Sequence, residues 1–524
     1  MLQNLSRYYH TIKHLKPIQI RYQAWYRLRN RFFPVKLPAI VETPNYQSIK
    51  LETFPGEKVS YHGKNKFRFL NLDQDFKDSI NWNHPGHGKL WAYKLNYFEF
   101  LNQPELDFDT GQQLIRDYNS KIETSTEGLE PYPISLRGIN WIKFMALHSR
   151  FPDEIIRSLF AQYRVLMNKI EYHLLGNHLL ENGFSLLFGA IFYRDENMYR
   201  LAKKIITEQL EEQVLQDGAH FELSPMYHAI IFQRVLDSIN LLKSNAHDET
   251  ELMDLLCEKA ALMGGWLRNM QLFDGSYPSV NDTVVGEFIH PEALLEYAGS
   301  LGITAETVPL GTCGYRKINY RGFELLADVG EIGPSYIPGH THADTLSFIL
   351  HHEGSPVIID RGVSTYEKTA LRSEERSTAA HNTVMVNGIE QSDMWGGFRV
   401  GKRASCRVLA DNEHLLEAQH DGFQKQGFIH TRKWRAENGK IIVEDRVHGE
   451  GASSTAHLHF SPQIKLKETA SNTYTANGLS ISIQGQQQIE QKRYMKATGF
   501  NKRIEAEKLK IHFSNQLTII ISAP

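Results

Sequence analysis

Apolar residues recur at helical spacing over most of residues 86–310. The clearest segments are 152–174, 179–193, 196–214, 224–244 and 249–271, each bounded by Pro, Gly, Asp or Asn. In 224–244, Ile231, Val235, Ile239 and Leu242 follow one another at steps of four, four and three, with Arg234 and Asp237 off the stripe. Amphipathic helices of this kind need partners, so a bundle, a solenoid or a closed α/α toroid is expected. Near Gly314 the period changes. Residues 320–328, 345–351, 356–360, 382–386, 440–445 and 517–522 are short β-rich runs separated by Gly, Asn and Asp turns. Helices followed by strands predict two segregated domains meeting near 305–315, an α+β multidomain chain with a cleft between its parts. The expected divisions are a basic segment at 1–85, a helical domain at 86–312 and an antiparallel sandwich at 313–524.

Composition narrows the partners. The 524 residues are 41% hydrophobic and 23% charged, a globular composition without disorder bias. Lys plus Arg number 58 against 60 for Asp plus Glu, so no global field favours nucleic acid, and any anion site must be local. Three widely spaced cysteines, Cys257, Cys313 and Cys406, argue against a disulfide framework and a zinc ribbon. The apolar run 184–193 is too short to span a bilayer. Charged and polar residues interrupt the first 25 positions, so no secretory signal is read there and a cytoplasmic location is expected. Eight Lys and Arg residues precede Glu42, the first acid. Such an excess suits peripheral contact with an anionic membrane surface; the plainer expectation is a basic helix docked on the protein body. The oligomeric state is left open.

Three stretches hold more ionisable groups than packing needs. In 176–184 (GNHLLENGF), Asn177 and His178 stand at a helix start with Glu181 and Asn182 one turn on; alone, Asn177 reads as an N-cap. In 217–228 (DGAHFELSPMYH), Ser224 and Pro225 form a strong helix start that puts Tyr227 at the third helical position, where the helix dipole would favour phenolate. The alternative is a Tyr packed at a helix end. The third stretch begins at 339 (GHTHADTLSF). If it is a strand, His340, His342 and Asp344 share a face, and Asp360 reaches them across a hairpin turned at 353–355. His342, Asp360 and His381 together make a nitrogen- and oxygen-ligated divalent metal site, zinc being the expected metal, or else a buried hydrogen-bonded cluster.

These stretches, with residues 91–98, 131–141, 376–387 and 391–395, resemble the heparinase II/III-like family of polysaccharide lyases and their alginate-lyase relatives. The resemblance implies an incomplete α/α toroid followed by an antiparallel β-sandwich. It also implies an acidic polysaccharide as substrate, cut beside a uronic acid by β-elimination. Asn177 and His178 match the carboxylate-neutralising position, Tyr227 the tyrosine serving as base and acid, and His340 the histidine that assists it. Arg137, Glu181, Asn182 and His228 are expected to touch substrate, and His342, Asp360 and His381 match metal-bearing positions where zinc is structural. The chemistry is consistent: the C5 proton of a uronate is acidic only while its carboxylate is neutralised, and the departing O4 needs a proton. Two other classes compete, a glycan-binding or assembly protein without turnover and a metal-dependent hydrolase using the His342 cluster. A role in bacterial surface-polysaccharide metabolism would suit the basic N-terminus.

Overall fold

The computed structural model describes residues 2–245 and 250–523. Its helices are Asp153–Asn168, Gly176–Tyr193, Glu196–Gln213, Pro225–Ser244 and Thr250–Met270; the first stops short of the expected 174, and the others match the periodicity to within three residues. Glu249, expected to open the last of these, lies outside the described residues. Pro131–His148 packs on Gly176–Tyr193, which in turn packs on Glu196–Gln213 and Pro225–Ser244; the last also meets Thr250–Met270 and Pro291–Ser300. This is the incomplete toroid.

Its inner helices are buried nearly all round. Ile231, Val235, Ile239 and Leu242 are in the core as their spacing predicts, but so are Arg234 and Asp237, placed off the stripe by the sequence. They survive there because they form a closed ion cluster. Arg234 donates to Glu181 at 3.2 Å and Lys143 to Asp237 at 3.0 Å. A buried charge without such partners would cost several kcal/mol.

The second domain is all-antiparallel. A small sheet runs in the order Tyr315–Tyr320, Phe323–Asp328, Phe348–His352, Ser355–Ile358. The run 320–328 is therefore two strands, split by a tight turn at Arg321 and Gly322, both with positive φ. Ten strands form the larger sheet, in which Lys502–Ser522 pairs with Lys440–His448, Leu479–Gly499 and Ser454–His459. Inward residues of both sheets, among them Leu325, Leu350, Trp434, Val443 and Ile519, share one core, which makes a β-sandwich.

A separate apolar cluster joins the domains, with Trp266, Met270 and Ala219 of the helical part against Tyr315, Leu326 and Ile349 of the small sheet. The N-terminal segment ties them a second time. Helix Leu2–Ile12 bonds to the sandwich, Arg7 pairing with Asp393 at 2.8 Å, and helix Pro17–Phe32 lies on the toroid, Gln19 donating to the Leu174 carbonyl at 3.0 Å. Beyond it the chain runs extended along the helices to a short hairpin, Lys66–Phe69 with Leu72–Asp75. Residues 33–85 hold no α-helix, because Pro34, Pro38, Pro44 and Pro55 break the pattern. The three cysteines are unpaired. Among the described residues no helix is long and apolar enough to cross a membrane.

Candidate active site

Strained backbone shapes the helical side of the site at two points. Leu175, with φ 65°, precedes the helix that carries Asn177 and His178, and Leu223, with φ 56°, precedes the one that carries Tyr227. Left-handed leucines cost of order 1–3 kcal/mol each and persist only where the surroundings hold them. Gly176 between them is required: its φ is +59°, and a Cβ there would sit 3.0 Å from Ile337 and 3.2 Å from Glu222.

Asn177 is not an N-cap. The helix begins one residue earlier, and the Asn177 amide instead donates to Glu222 at 2.8 Å. His178 is one-third exposed beside the Tyr132 ring, 4.4 Å between centroids, and its Nδ1 lies 3.0 Å from Glu171. Burial alone would lower its pKa, but the Glu171 charge and hydrogen bond outweigh that and raise it. The charged form of His178 is thereby favoured. Asn182, expected to touch substrate, is buried and grips the other Glu171 oxygen at 3.0 Å, so it holds the carboxylate that holds His178.

Opposite this wall, Tyr227 and His340 stack, with centroids 3.8 Å apart and planes at 29°. Tyr227 is the third residue of its helix, as the Ser-Pro start predicts, although Ser224 bonds to Thr283 at 2.9 Å instead of capping. The expected phenolate is corrected. Burial, then the nearby charges of Asp282 and Glu222, push the Tyr227 pKa up, so the phenol stays protonated. Desolvation and two negative neighbours exceed the helix dipole.

His340 owes its state to Asp282, a residue the sequence reading passed over. Its Nδ1 lies 2.9 Å from one Asp282 oxygen, while His342 Nε2 lies 3.0 Å from the other. Arg372 pairs with both oxygens, its second nitrogen at 2.7 Å. Although burial works against it, these partners hold the Asp282 carboxyl well below the usual range. An ionised Asp282 can only accept, so His340 presents its Nδ1–H to it and turns Nε2 away. That nitrogen points past Glu222, 3.9 Å away. The residues 339–347 are a loop and not a strand, so His340 and His342 are united by gripping one carboxylate and not by sharing a pleat. No sequence spacing marks Asp282, because it reaches the pair from the irregular segment after helix Thr250–Met270.

Three further expected substrate contacts are corrected. Arg137 is fully buried and donates to Gln162, Asn96 and Gly128 at 2.6–2.8 Å. Glu181 serves the Arg234 cluster. His228 is buried, accepting from the His220 amide at 3.1 Å and donating to the Met263 carbonyl at 3.0 Å, with its pKa pushed down to about 3 by burial. Their polar atoms are spent inside the protein, and they brace the site.

Below His340 lies the cluster read as a metal site. Asp360 follows a hairpin turned at Glu353 and Gly354, as expected, and accepts from His381 Nδ1 at 2.7 Å. The His342 and His381 rings are 5.2 Å apart. Asp360 and His381 are hydrogen-bonded, whereas His342 bonds to Asp282 and meets His381 only ring to ring, and among the described residues no three His, Cys, Asp or Glu side chains form a ready metal cage. Nevertheless His342 Nδ1 and His381 Nε2 are buried without a partner. Burial keeps His342 neutral, its pKa near 3, and its other nitrogen rests on a carboxylate, the usual state of a metal-ligating histidine. Asp344 joins this cluster with its pKa raised to about 6 by burial, against the pull of His381.

A helical toroid followed by an antiparallel sandwich is the architecture of heparinase-type polysaccharide lyases. The sequence matches the heparinase II/III N-terminus over residues 142–293 and the heparinase II/III-like C-terminal domain over residues 303–522, and the chain belongs to that family. Among solved structures, a heparinase III shares 14% identity over 97% of this chain and 92% of its own, with a TM-score of 0.66. A heparan sulfate lyase from Pedobacter heparinus shares 16% over 88% and 81%, TM-score 0.56. A chondroitin AC lyase of Streptomyces coelicolor A3, solved with chondroitin sulphate, shares 9% over 84% and 76%, TM-score 0.53. At these identities the likeness is one of fold. No curated protein matched the sequence.

Proposed function

We propose that the protein cleaves a uronic-acid-containing glycan by β-elimination, with His340 as the base and Tyr227 as the acid. The observation that carries this reading is the contrast between two stacked groups: a phenol held protonated and an imidazole whose Nε2 is left free by ionised Asp282. The uronate carboxylate would lie against the His178 imidazolium and the outer Asn177 N–H, which stabilise the charge developing as the C5 proton leaves. Nε2 of His340 takes that proton. The C4–O4 bond breaks as the C4–C5 double bond forms, and O4 takes its proton from the Tyr227 hydroxyl. Because the two rings touch face to face, the sugar lies along their shared edge and not between them.

The test is incubation with uronate-containing polymers, sulfated and unsulfated. A lyase produces an unsaturated uronate absorbing in the ultraviolet. Saturated ends would support the hydrolase reading, and an intact bound polymer the assembly reading.

A structural zinc at His342, Asp360 and His381 is part of the same proposal. It is supported by the two orphaned imidazole nitrogens and the adjoining carboxylate. When bound, it would fix the loop that presents His340. Elemental analysis should find one zinc per chain, and chelation should lower the melting temperature. Metal-free protein with unchanged stability would leave the hydrogen-bonded cluster as the complete account.

A further inference from the structure

The first 33 residues carry a surface unlike the rest of the molecule. Among the described residues nineteen large apolar side chains are exposed, and nine of them lie between Tyr8 and Phe33. Elsewhere such residues are scattered, as on any protein surface. In helix Pro17–Phe32 the exposed residues have a pattern. Trp25, Leu28 and Phe32 follow at steps of three and four, and Phe33 closes the row, at exposures of 55, 58, 62 and 77%. The opposite face is the docked one, where Gln19 and Tyr26 bond to the Leu174 and Ile170 carbonyls. The exposed stripe is therefore a second apolar face on a helix whose first is already used.

Charge distinguishes what could cover it. Arg7 and Lys16 are consumed by Asp393 and Glu212, and Arg29 turns inward to the Asn168 carbonyl. Arg21, Arg27 and Arg31 remain exposed around the stripe, with no acid in the first 41 residues. A second copy of this face would bring like charges together. An acidic glycan would satisfy the arginines and leave Leu28 and Phe32 without a partner. A bilayer with anionic headgroups satisfies both, the rings and leucine entering the boundary of the acyl chains and the arginines remaining among the phosphates.

We propose that helix Pro17–Phe32 is a docking surface for an anionic lipid membrane, which the chain binds peripherally and does not cross. The preceding helix couples this surface to the site. Tyr8 packs edge-on to Trp395, 5.2 Å between centroids, on the Met394–Val400 hairpin, whose Phe398 ring stands 5.8 Å from His340. The docked chain would thus present its cleft from a fixed orientation.

The experiment is co-sedimentation of the full chain with phosphatidylcholine vesicles, with and without phosphatidylglycerol. Binding should be roughly tenfold or more stronger with the anionic lipid and should fall as salt is raised. A Trp25→Ser, Leu28→Ser, Phe32→Ser variant and an Arg21→Glu, Arg27→Glu, Arg31→Glu variant should each lose that binding while keeping the parent's melting temperature and its turnover of soluble substrate. Equal binding by either variant would overturn the proposal. So would failure of the parent to bind vesicles, whether it instead self-associates through the apolar residues or is retained by an immobilised acidic glycan through the arginines. None of these outcomes depends on the lyase reading, which is judged by its products.

Discussion

The two walls of the cleft hold histidine on carboxylates in different company. On the helical wall His178 rests on Glu171, is one-third exposed, and has its pKa raised by that charge. Across from it His340 rests on Asp282, but that carboxylate is already shared with Arg372 and His342, so its charge is divided among three partners. Glu171 is otherwise bound only by the neutral Asn182 amide, and its charge raises the His178 pKa; Asp282 also carries the Arg372 guanidinium and fixes Nδ1 of His340 toward itself. The company each carboxylate keeps distinguishes the two histidines.

Breaking the second wall should have the largest effect. Tyr227→Phe removes one hydroxyl and should reduce kcat on the order of 10²–10⁴-fold while polymer binding persists. Full activity in that variant would end the acid assignment. Asp282→Asn should also cost about 10²-fold in turnover, and because it strands buried Arg372 it should lower stability by about 3–5 kcal/mol, read by denaturant unfolding. Its depressed pKa fixes the sign of a pH effect: the stabilisation from Asp282 is present above the unfolded carboxyl pKa of about 4 and is lost as pH falls through the folded value.

The first wall should respond more mildly. Glu171→Gln removes the charge that raises the His178 pKa, so kcat should fall several-fold with a smaller change in KM, because the charge His178 meets grows as the C5 proton leaves. In the parent the His178 cation is complete below about pH 6.5 and is lost as pH rises through its raised pKa; in the variant that loss should move to lower pH. An unchanged pH profile would show that His178 does not meet the uronate. The smallest kinetic effect is expected for His228→Ala, which removes a brace and not a contact. Stability should fall by about 1–3 kcal/mol, and KM should stay where it was.

Much of this architecture was legible in the chain. Periodicity located the helices from Asp153 to Met270 within a few residues, and the Ser224-Pro225 pair placed Tyr227 at the third position of its helix. Those features are local, since hydrophobic spacing and helix starts depend on near neighbours. The same local logic failed for Arg137, Glu181, Asn182 and His228, because polar residues beside a catalytic motif look alike whether they face substrate or a partner 25 or 53 residues away.

What the sequence by itself determined was the order of helices and strands and the family. Only the tertiary structure decided the protonation of the site residues. Asp282 lies 58 residues from His340 and 90 from Arg372. Desolvation and Coulomb interaction depend on distance in space, so the raised pKa values of Tyr227 and His178 arise only as the helical domain folds, and the orientation of His340 on Asp282 only where the second domain meets it.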